Sequence, residues 1–474
     1  MLSQWLIMLP EFMLIMFIIV AALTNHYRQE KTPKTFFTLA QLFLLSISLA
    51  TLVFYNKSPF PALVQNTPFV TLFKICGYLL TMGWMYLSSK WFLNKNRPSC
   101  IFCMIIFFAL FGLDILASSV SFVATAAAVP LILLSNCLLI SQHWDIDKVK
   151  PLLMRYILFS SFFCLMLWIA VWLIFYTTGS LDYLTVKQYF SGVNGDNIYI
   201  LSAIVIVLAV YIYMLGLVPF HIWFTGFIGN GVLPVCGFIT LVPPLFYICA
   251  FIKLIKDCFA PFYQFIAPLI ITFAVASILV GAVSAKGEKN IRRLFAYLNI
   301  YCWGVCLLSL VDYSSVSIIA SFAYIITVAL SFAGIYTIFL GLKSHSEYLS
   351  EIEDIRGFTA TRPYMAAALM IFMFSFIGLA PTLGFLGYMS IINNLMSQAA
   401  WLRLGILLCG ILLIARTCLD ILRLTYFENS AKTYDRPDKS IYICLFINMT
   451  VILLSLFNPN WLLKNAVAVL GGVN

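Results

Sequence analysis

Charge is what this sequence has least of: only 10% of its 474 residues are Asp, Glu, Lys or Arg, and only four are histidine. With 63% hydrophobic residues and a mean hydropathy of +1.00, the chain lies outside the range of water-soluble globular or disordered proteins. Also missing are a phosphate-cradling glycine loop, a haem or cluster cysteine pattern, and a second close cysteine pair to join Cys100 and Cys103. No nucleotide, flavin or iron–sulfur site is therefore expected. The thirteen cysteines fall mostly inside apolar stretches and read as small buried hydrophobes, not as metal or redox groups. The longest polar segments are 178–197, 343–363 and 426–440, too short for a soluble catalytic module.

What is present is a succession of long apolar runs. A hydrocarbon core of roughly 30 Å needs about 20 apolar residues as helix, and its backbone groups must be bonded internally. The expected fold class is an all-α polytopic membrane protein of about fourteen spans: roughly 5–23, 36–56, 68–88, 100–118, 122–142, 152–177, 198–225, 231–252, 263–284, 294–312, 315–342, 364–392, 400–425 and 440–462. The first run has no basic region before it and reads as a first span, not as a cleaved signal.

The net charge of +10 raises nucleic acid as a partner, but its distribution points to the bilayer instead. Most of the 28 Lys and Arg fall in alternate loops, such as Lys90, Lys95 and Arg97, or Lys286, Lys289, Arg292 and Arg293. The intervening loops and the tail hold few: Lys57, Lys187, Lys253, Lys256, Arg403 and Lys464. The positive-inside rule puts the basic loops in the cytoplasm or its equivalent and both termini on the opposite side.

Two spans carry helix breakers at their centres. In "MLGLVPFHIW" (214–223) Pro219 stands two residues before His221; in "FSFIGLAPTLGFLGY" (374–388) Pro381 stands among Gly378, Gly384 and Gly387. A proline inside a membrane helix frees backbone groups that only protein or a watery cavity can satisfy. Spans seven and twelve, five apart, fit an inverted repeat of two five-helix units built around discontinuous helices. The expected organisation is 1–118 for N-terminal helices and entry to the first repeat, 100–252 for that repeat, 263–425 for the second, and 440–474 for a C-terminal helix and tail. Pro243 and Pro244 should also kink span eight.

The stretches "MLPEFML", "PFVTLFK", "GLVPFHIW", "NIRRLFAYLNI", "EIEDIRGF", "RPYMAAALMIFMFSFIGLAPTLGFLG" and "ILRL" occur in one order across nearly the whole chain. In this they resemble membrane-arm subunit N, the mitochondrial subunit 2, of the proton-pumping NADH:quinone oxidoreductase, respiratory complex I. That family is related to Mrp-type cation/proton antiporter subunits. The resemblance implies an antiporter-like fold in a bacterial plasma membrane or a mitochondrial inner membrane, with the other membrane-arm subunits as partners. It further implies that NADH, FMN, iron–sulfur clusters and quinone belong to the wider complex and that no cofactor is held by this chain.

The sequence departs from the family at its charged line. The family lysine seven residues before the histidine falls on Met214, a second on Pro244, and a lysine or glutamate of span twelve on Tyr388. The span-five glutamate has no counterpart, since no Asp or Glu occurs between Asp114 and Asp145. An intramembrane charge costs at least about 2.5–3.5 kcal/mol on insertion scales, so its loss points to relaxed demand for proton transfer and a degenerate channel. An Mrp-type antiporter subunit and a non-transporting scaffold are the rival readings.

Individual residues carry paired readings. His221, with Tyr388, is a proton-path candidate; His221 also fits a helix end, bonded to backbone that Pro219 frees. Arg292 and Arg293 suit a helix cap, a cytoplasmic anchor or a subunit contact. Arg416, Asp420 and Arg423 recur at i, i+4 and i+7, spaced for an ion-pair ladder. Lys74, one turn into span three, is expected to snorkel to the surface, and Glu11 to lie near the interface; neither is given a transport role.

Overall fold

The computed structural model describes residues 7–28, 33–57, 60, 62–94, 99–142, 146–192, 197–344, 347–429 and 433–454. The tail expected beyond residue 454, Lys464 included, and the loop residues Lys31, Lys95, Arg97 and Lys432 lie outside the described residues.

Among the described residues the apolar runs form helices, and capping residues fix several of the helix starts. In the N-terminal half these are α1 (Leu9–Arg28), α2 (Pro33–Val53), α3 (Pro68–Asn94), α4 (Ser99–Ser118), α5 (Phe122–Ser141), α6 (Ile146–Thr178), the short α7 (Tyr183–Ser191) and α8 (Ile198–Met214). They are followed by α9 (Ile222–Asn230), α10 (Leu233–Leu241), α11 (Pro243–Leu254), α12 (Tyr263–Gly287), α13 (Ile291–Leu310) and α14 (Ser315–Gly341). The last four are α15 (Pro363–Ile377), α16 (Leu383–Ser397), α17 (Trp401–Phe427) and α18 (Lys439–Leu454). Ser121, Asn197, Asn290 and Ser314 accept backbone N–H bonds at the starts of α5, α8, α13 and α14, satisfying donors the helix cannot. Pro243 and Pro363 occupy first turns, where the missing N–H costs nothing.

Among the described residues ten stretches are long and apolar enough to cross a membrane. One of them, Leu233–Gly287, contains both expected spans eight and nine, and the shorter helices Ile198–Met214, Pro363–Ile377 and Lys439–Leu454 account for the rest of the expected series. Span eight is interrupted at Val242, between α10 and α11, with Pro243 and Pro244 opening the second piece. A π-helical turn, Ile255–Phe259, and a 3-10 turn, Ala260–Phe262, then lead into α12. A two-stranded hairpin, β1 (Lys343–Ser344) with β2 (Glu347–Tyr348), lies in the polar segment after α14.

The chain divides into two compact units: residues 1–215 with 242–268, and 216–241 with 269–474. Two of these boundaries fall inside the stretch 100–252 expected as one repeat and the third inside 263–425, because contacts and repeat topology divide the chain on different grounds. In the first unit α2 runs along α3, α1 and α5 pack on α4, and α6 lies along α8. Its aromatic core includes Phe17 stacked on Phe107 at 3.8 Å and a cluster of Phe37, Phe92 and Phe102. In the second unit α14 is central, packed by α10, α13, α15, α16 and α18.

Candidate functional site: two broken helices and the polar groups around them

Both breaks are built the same way. After α8 the chain runs Gly216-Leu217-Val218-Pro219; after α15 it runs Gly378-Leu379-Ala380-Pro381. Gly216 (φ 67°) and Gly378 (φ 80°) take the left-handed conformation that a side chain disfavours, and this turns the chain out of the helix. The Val218–Pro219 and Ala380–Pro381 peptide bonds are both cis. The helices thus stop three residues or more before the prolines, which lie in the non-helical links. In the second break Gly378 N–H donates to Phe374 O (3.0 Å), and Gly384 passes so close to the Ser375 carbonyl that a Cβ there would fall onto it.

At the first break Met214 closes α8 and is buried, bringing no charge to the position. His221 precedes α9, half-buried; its carbonyl accepts from Thr225 N–H (3.1 Å), while its Nδ1 is buried without a hydrogen bond. The nearest ring contact is Tyr297, 6.5 Å between centroids. Val218 N–H, a donor the break exposes, is taken by Ser277 Oγ at 3.2 Å.

The second break meets a polar seam that the sequence reading did not single out. Ser317, Ser321, Tyr324, Thr327 and Ser331 lie on one face of α14, at steps of three and four residues. Ser317 Oγ accepts from Asn394 Nδ2 (3.0 Å), Thr327 Oγ1 donates to Leu383 O (3.4 Å), and Ser331 Oγ donates to Ser375 Oγ (2.9 Å). Between these lies a cluster of three phenols. Tyr388 O–H donates to Tyr301 Oη at 3.1 Å, and Tyr324 Oη is 3.2 Å from Tyr388 Oη; all three rings are buried. Tyr388 is thus a hydroxyl bonded to hydroxyls.

The remaining candidates are placed as follows. Arg292 Nη1 donates to Gly231 O at the end of α9, so it caps a helix C-terminus, where positive charge is favoured. Arg293 lies 3.8 Å from Glu288. The ladder expected of Arg416, Asp420 and Arg423 is not formed: all three side chains are exposed and no ion pair within 4.0 Å joins them. Their spacing puts them on one face of α17, but that face is turned away from the packed interior. Among the described residues no group of three His, Cys, Asp or Glu is arranged to hold a metal ion.

Lys74 and Glu11 overturn expectation most clearly. Lys74 does not snorkel; it is 1% exposed and lies 3.0 Å from Asp114 Oδ2, 3.5 Å from Glu11 Oε1 and 2.8 Å from Asn66 Oδ1. Glu11 is likewise buried. Lys253, read as a loop residue, is in the last turn of α11, buried, and donates to Ser118 O (2.9 Å) and Gln65 O (3.3 Å). The signal for the group around Lys74 was Asp114, the one charged residue inside an otherwise uncharged helix.

Comparison with known proteins agrees with this architecture. Residues 130–414, more than half of the chain, match the family described as NADH:quinone oxidoreductase/Mrp antiporter, transmembrane. An NADH-quinone oxidoreductase subunit N of Thioalkalivibrio sulfidiphilus is 24% identical over 88% of this chain and 85% of its own length. Among solved structures, a chain of respiratory complex I from Thermus thermophilus superposes with a TM-score of 0.80 at 18% identity, covering 96% of this chain and 98% of that one. A chain of an archaeal respiratory membrane complex, the membrane-bound sulfane sulfur reductase, gives 0.84 at 15% identity over 99% and 97%. With the helix series, the paired breaks and this match together, the chain belongs to the NADH:quinone oxidoreductase/Mrp antiporter family of multi-pass membrane proteins.

Proposed function

We propose that the chain is a subunit-N-type component of the membrane arm of an NADH:quinone oxidoreductase, held in contact with the other membrane-arm subunits, with its own lysine-based proton channel degenerate. The observation that carries this reading is Met214: the break is kept, with its left-handed glycine, its proline and His221, but the buried position that closes α8 has an apolar side chain. Family membership and relatives named subunit N support the assembly part of the proposal. The hydroxyls of Tyr301, Tyr324 and Tyr388 support the channel part, since three neutral phenols replace a titrating charge with groups that hold their protons at neutral pH. The two breaks support the inverted repeat of spans 4–8 and 9–13, and the loop charges support an orientation with both termini opposite the basic loops.

The test is affinity purification of the tagged chain in mild detergent, mass spectrometry of what accompanies it, and proton pumping by the recovered complex with His221→Ala and Met214→Lys variants. Recovery with the other membrane-arm subunits and pumping unchanged by His221→Ala are expected. Pumping lost in His221→Ala with assembly intact means a live channel and sinks the degenerate reading. Recovery without such partners overturns the assignment, and cation/proton exchange in vesicles then favours the Mrp-type rival.

A further inference from the structure

The first unit contains an ionic cluster far in sequence from both breaks, and its charges do not balance. Glu11 comes from the first turn of α1, Lys74 from the second turn of α3, and Asp114 from the last turns of α4. Asp114 is 0% exposed, Lys74 1% and Glu11 8%, so all three are removed from water. Among the described residues Lys74 Nζ is the only cation within 4.0 Å of either carboxylate. Two carboxylates on one ammonium leave a net negative charge in a buried site, which is costly for a membrane protein to hold.

Among the described residues no second cation makes an ion pair with either carboxylate. From α3, Tyr78 O–H donates to Asp114 Oδ1 at 2.7 Å. From α11, Lys253 is directed to the carbonyls of Ser118 and Gln65, with Asp257 one turn further on; Cys249 and Tyr247 on the same helix are neutral. The described side chains of α2 include no acid or base, and α5 has only Cys137. Asp114 thus has a phenol against one carboxylate oxygen and an ammonium against the other. Glu11 has the longer contact to Lys74, 3.5 Å, and its Oε2, like Asp114 Oδ2, is buried without a hydrogen bond. Bonds to a carboxylate favour its charged form, and burial without them favours the acid.

We propose that Glu11, Lys74 and Asp114 form a proton-binding site in which Glu11 carries the proton at neutral pH and Asp114 is the closer ion-pair partner of Lys74. The ligand is a proton, which makes the cluster neutral. The three residues lie at helix ends that open on one side of the first unit, the start of α1, the start of α3 and the end of α4, so exchange with that face needs no path through the broken helices. The inference stands on this cluster alone and does not depend on which subunits accompany the chain.

Infrared difference spectroscopy on the purified chain, with any partners it retains, tests the proposal. A protonated carboxylic-acid C=O band should be present at neutral pH, move on exchange into D2O, and shift when glutamate but not aspartate is labelled with carbon-13. Glu11→Gln removes the band. Asp114→Asn removes it as well, since the remaining Glu11 then pairs one to one with Lys74 and ionises. Lys74→Met retains it. Absence of the band in the unmodified chain makes the cluster a fixed, fully ionised triad and overturns the proposal, whatever the variants do. A band that follows aspartate labelling, or that sodium chloride removes at constant pH, overturns it too, the latter in favour of a cation site.

Discussion

Removing one charge from the Glu11, Lys74 and Asp114 cluster does not cost the same in each direction. Lys74→Met strips from two buried carboxyl groups the ammonium that pairs them among the described residues, and breaking a buried pair in this way costs about 3–5 kcal/mol. Asp114→Asn keeps the shape, leaves Lys74 with Glu11 and costs less. Heating the detergent-solubilised variants and following loss of monodisperse protein should therefore rank Lys74→Met well below Asp114→Asn; the reverse order contradicts the account. Sequence showed each member but not the group. Lys74 and Glu11 each lie close to a helix end, where a long side chain ordinarily reaches water, and nothing in linear order says that α1, α3 and α4 bring those ends together. The same limit hid Arg403, which makes a two-bond pair with Asp312 (2.7 and 3.1 Å) across nearly a hundred residues. Conversely, regular spacing on one helix face made Arg416, Asp420 and Arg423 look paired, when that face is outside.

The breaks were legible at the level of the element, because proline and glycine act through their own backbone. What the sequence did not show is that glycine, not proline, ends each helix: α8 stops at Met214 and α15 at Ile377, each just ahead of a left-handed or link residue. Close approach of the two pieces of span twelve sets a sharper test. Gly384→Ala puts a methyl onto the Ser375 carbonyl, backbone that cannot rotate away, and should cost about 3 kcal/mol or cause the chain to be degraded. Gly405→Ala, in α17 with open space around it, should be neutral or gain up to about 1 kcal/mol. Thermal midpoints of both in one detergent decide it, and equal effects would mean that the close approach is not rigid. The seam on α14 was readable in principle as hydroxyls at helical spacing inside an apolar span, but Ser and Thr bond their own helix so often that the pattern alone says little. Tyr388→Phe removes the hydroxyl between Tyr301 and Tyr324. It should lower stability by about 1–2 kcal/mol while leaving assembly intact, as read by melting and by co-purification. A larger loss, with failure to assemble, would make the phenol cluster a keystone of the second unit.

At the scale of the whole molecule the helix series follows from hydropathy alone, since backbone in a bilayer has few ways to satisfy itself, and only the broken spans depart from a plain apolar helix. The proposed orientation rests on a different physical cause: basic residues resist transfer across the membrane, so basic loops tend to stay behind. Ser350 lies exposed in the segment before α15 that carries Lys343, Arg356 and Arg362, and Ser191 lies exposed at the end of α7 in a segment with a single lysine, Lys187. A serine-to-cysteine change at either place is nearly isosteric, and most native cysteines are buried or lie within apolar helices. With a membrane-impermeant thiol reagent, Ser191→Cys should label in right-side-out vesicles and Ser350→Cys only in inverted ones. Labelling of both from one side would mean that an even number of crossings separates them, and the count of spans between α7 and α15 would have to change. Labelling of each from the opposite side would keep the spans and reverse the chain, placing the ends of α1, α3 and α4 that frame Glu11 on the face where the basic loops were expected.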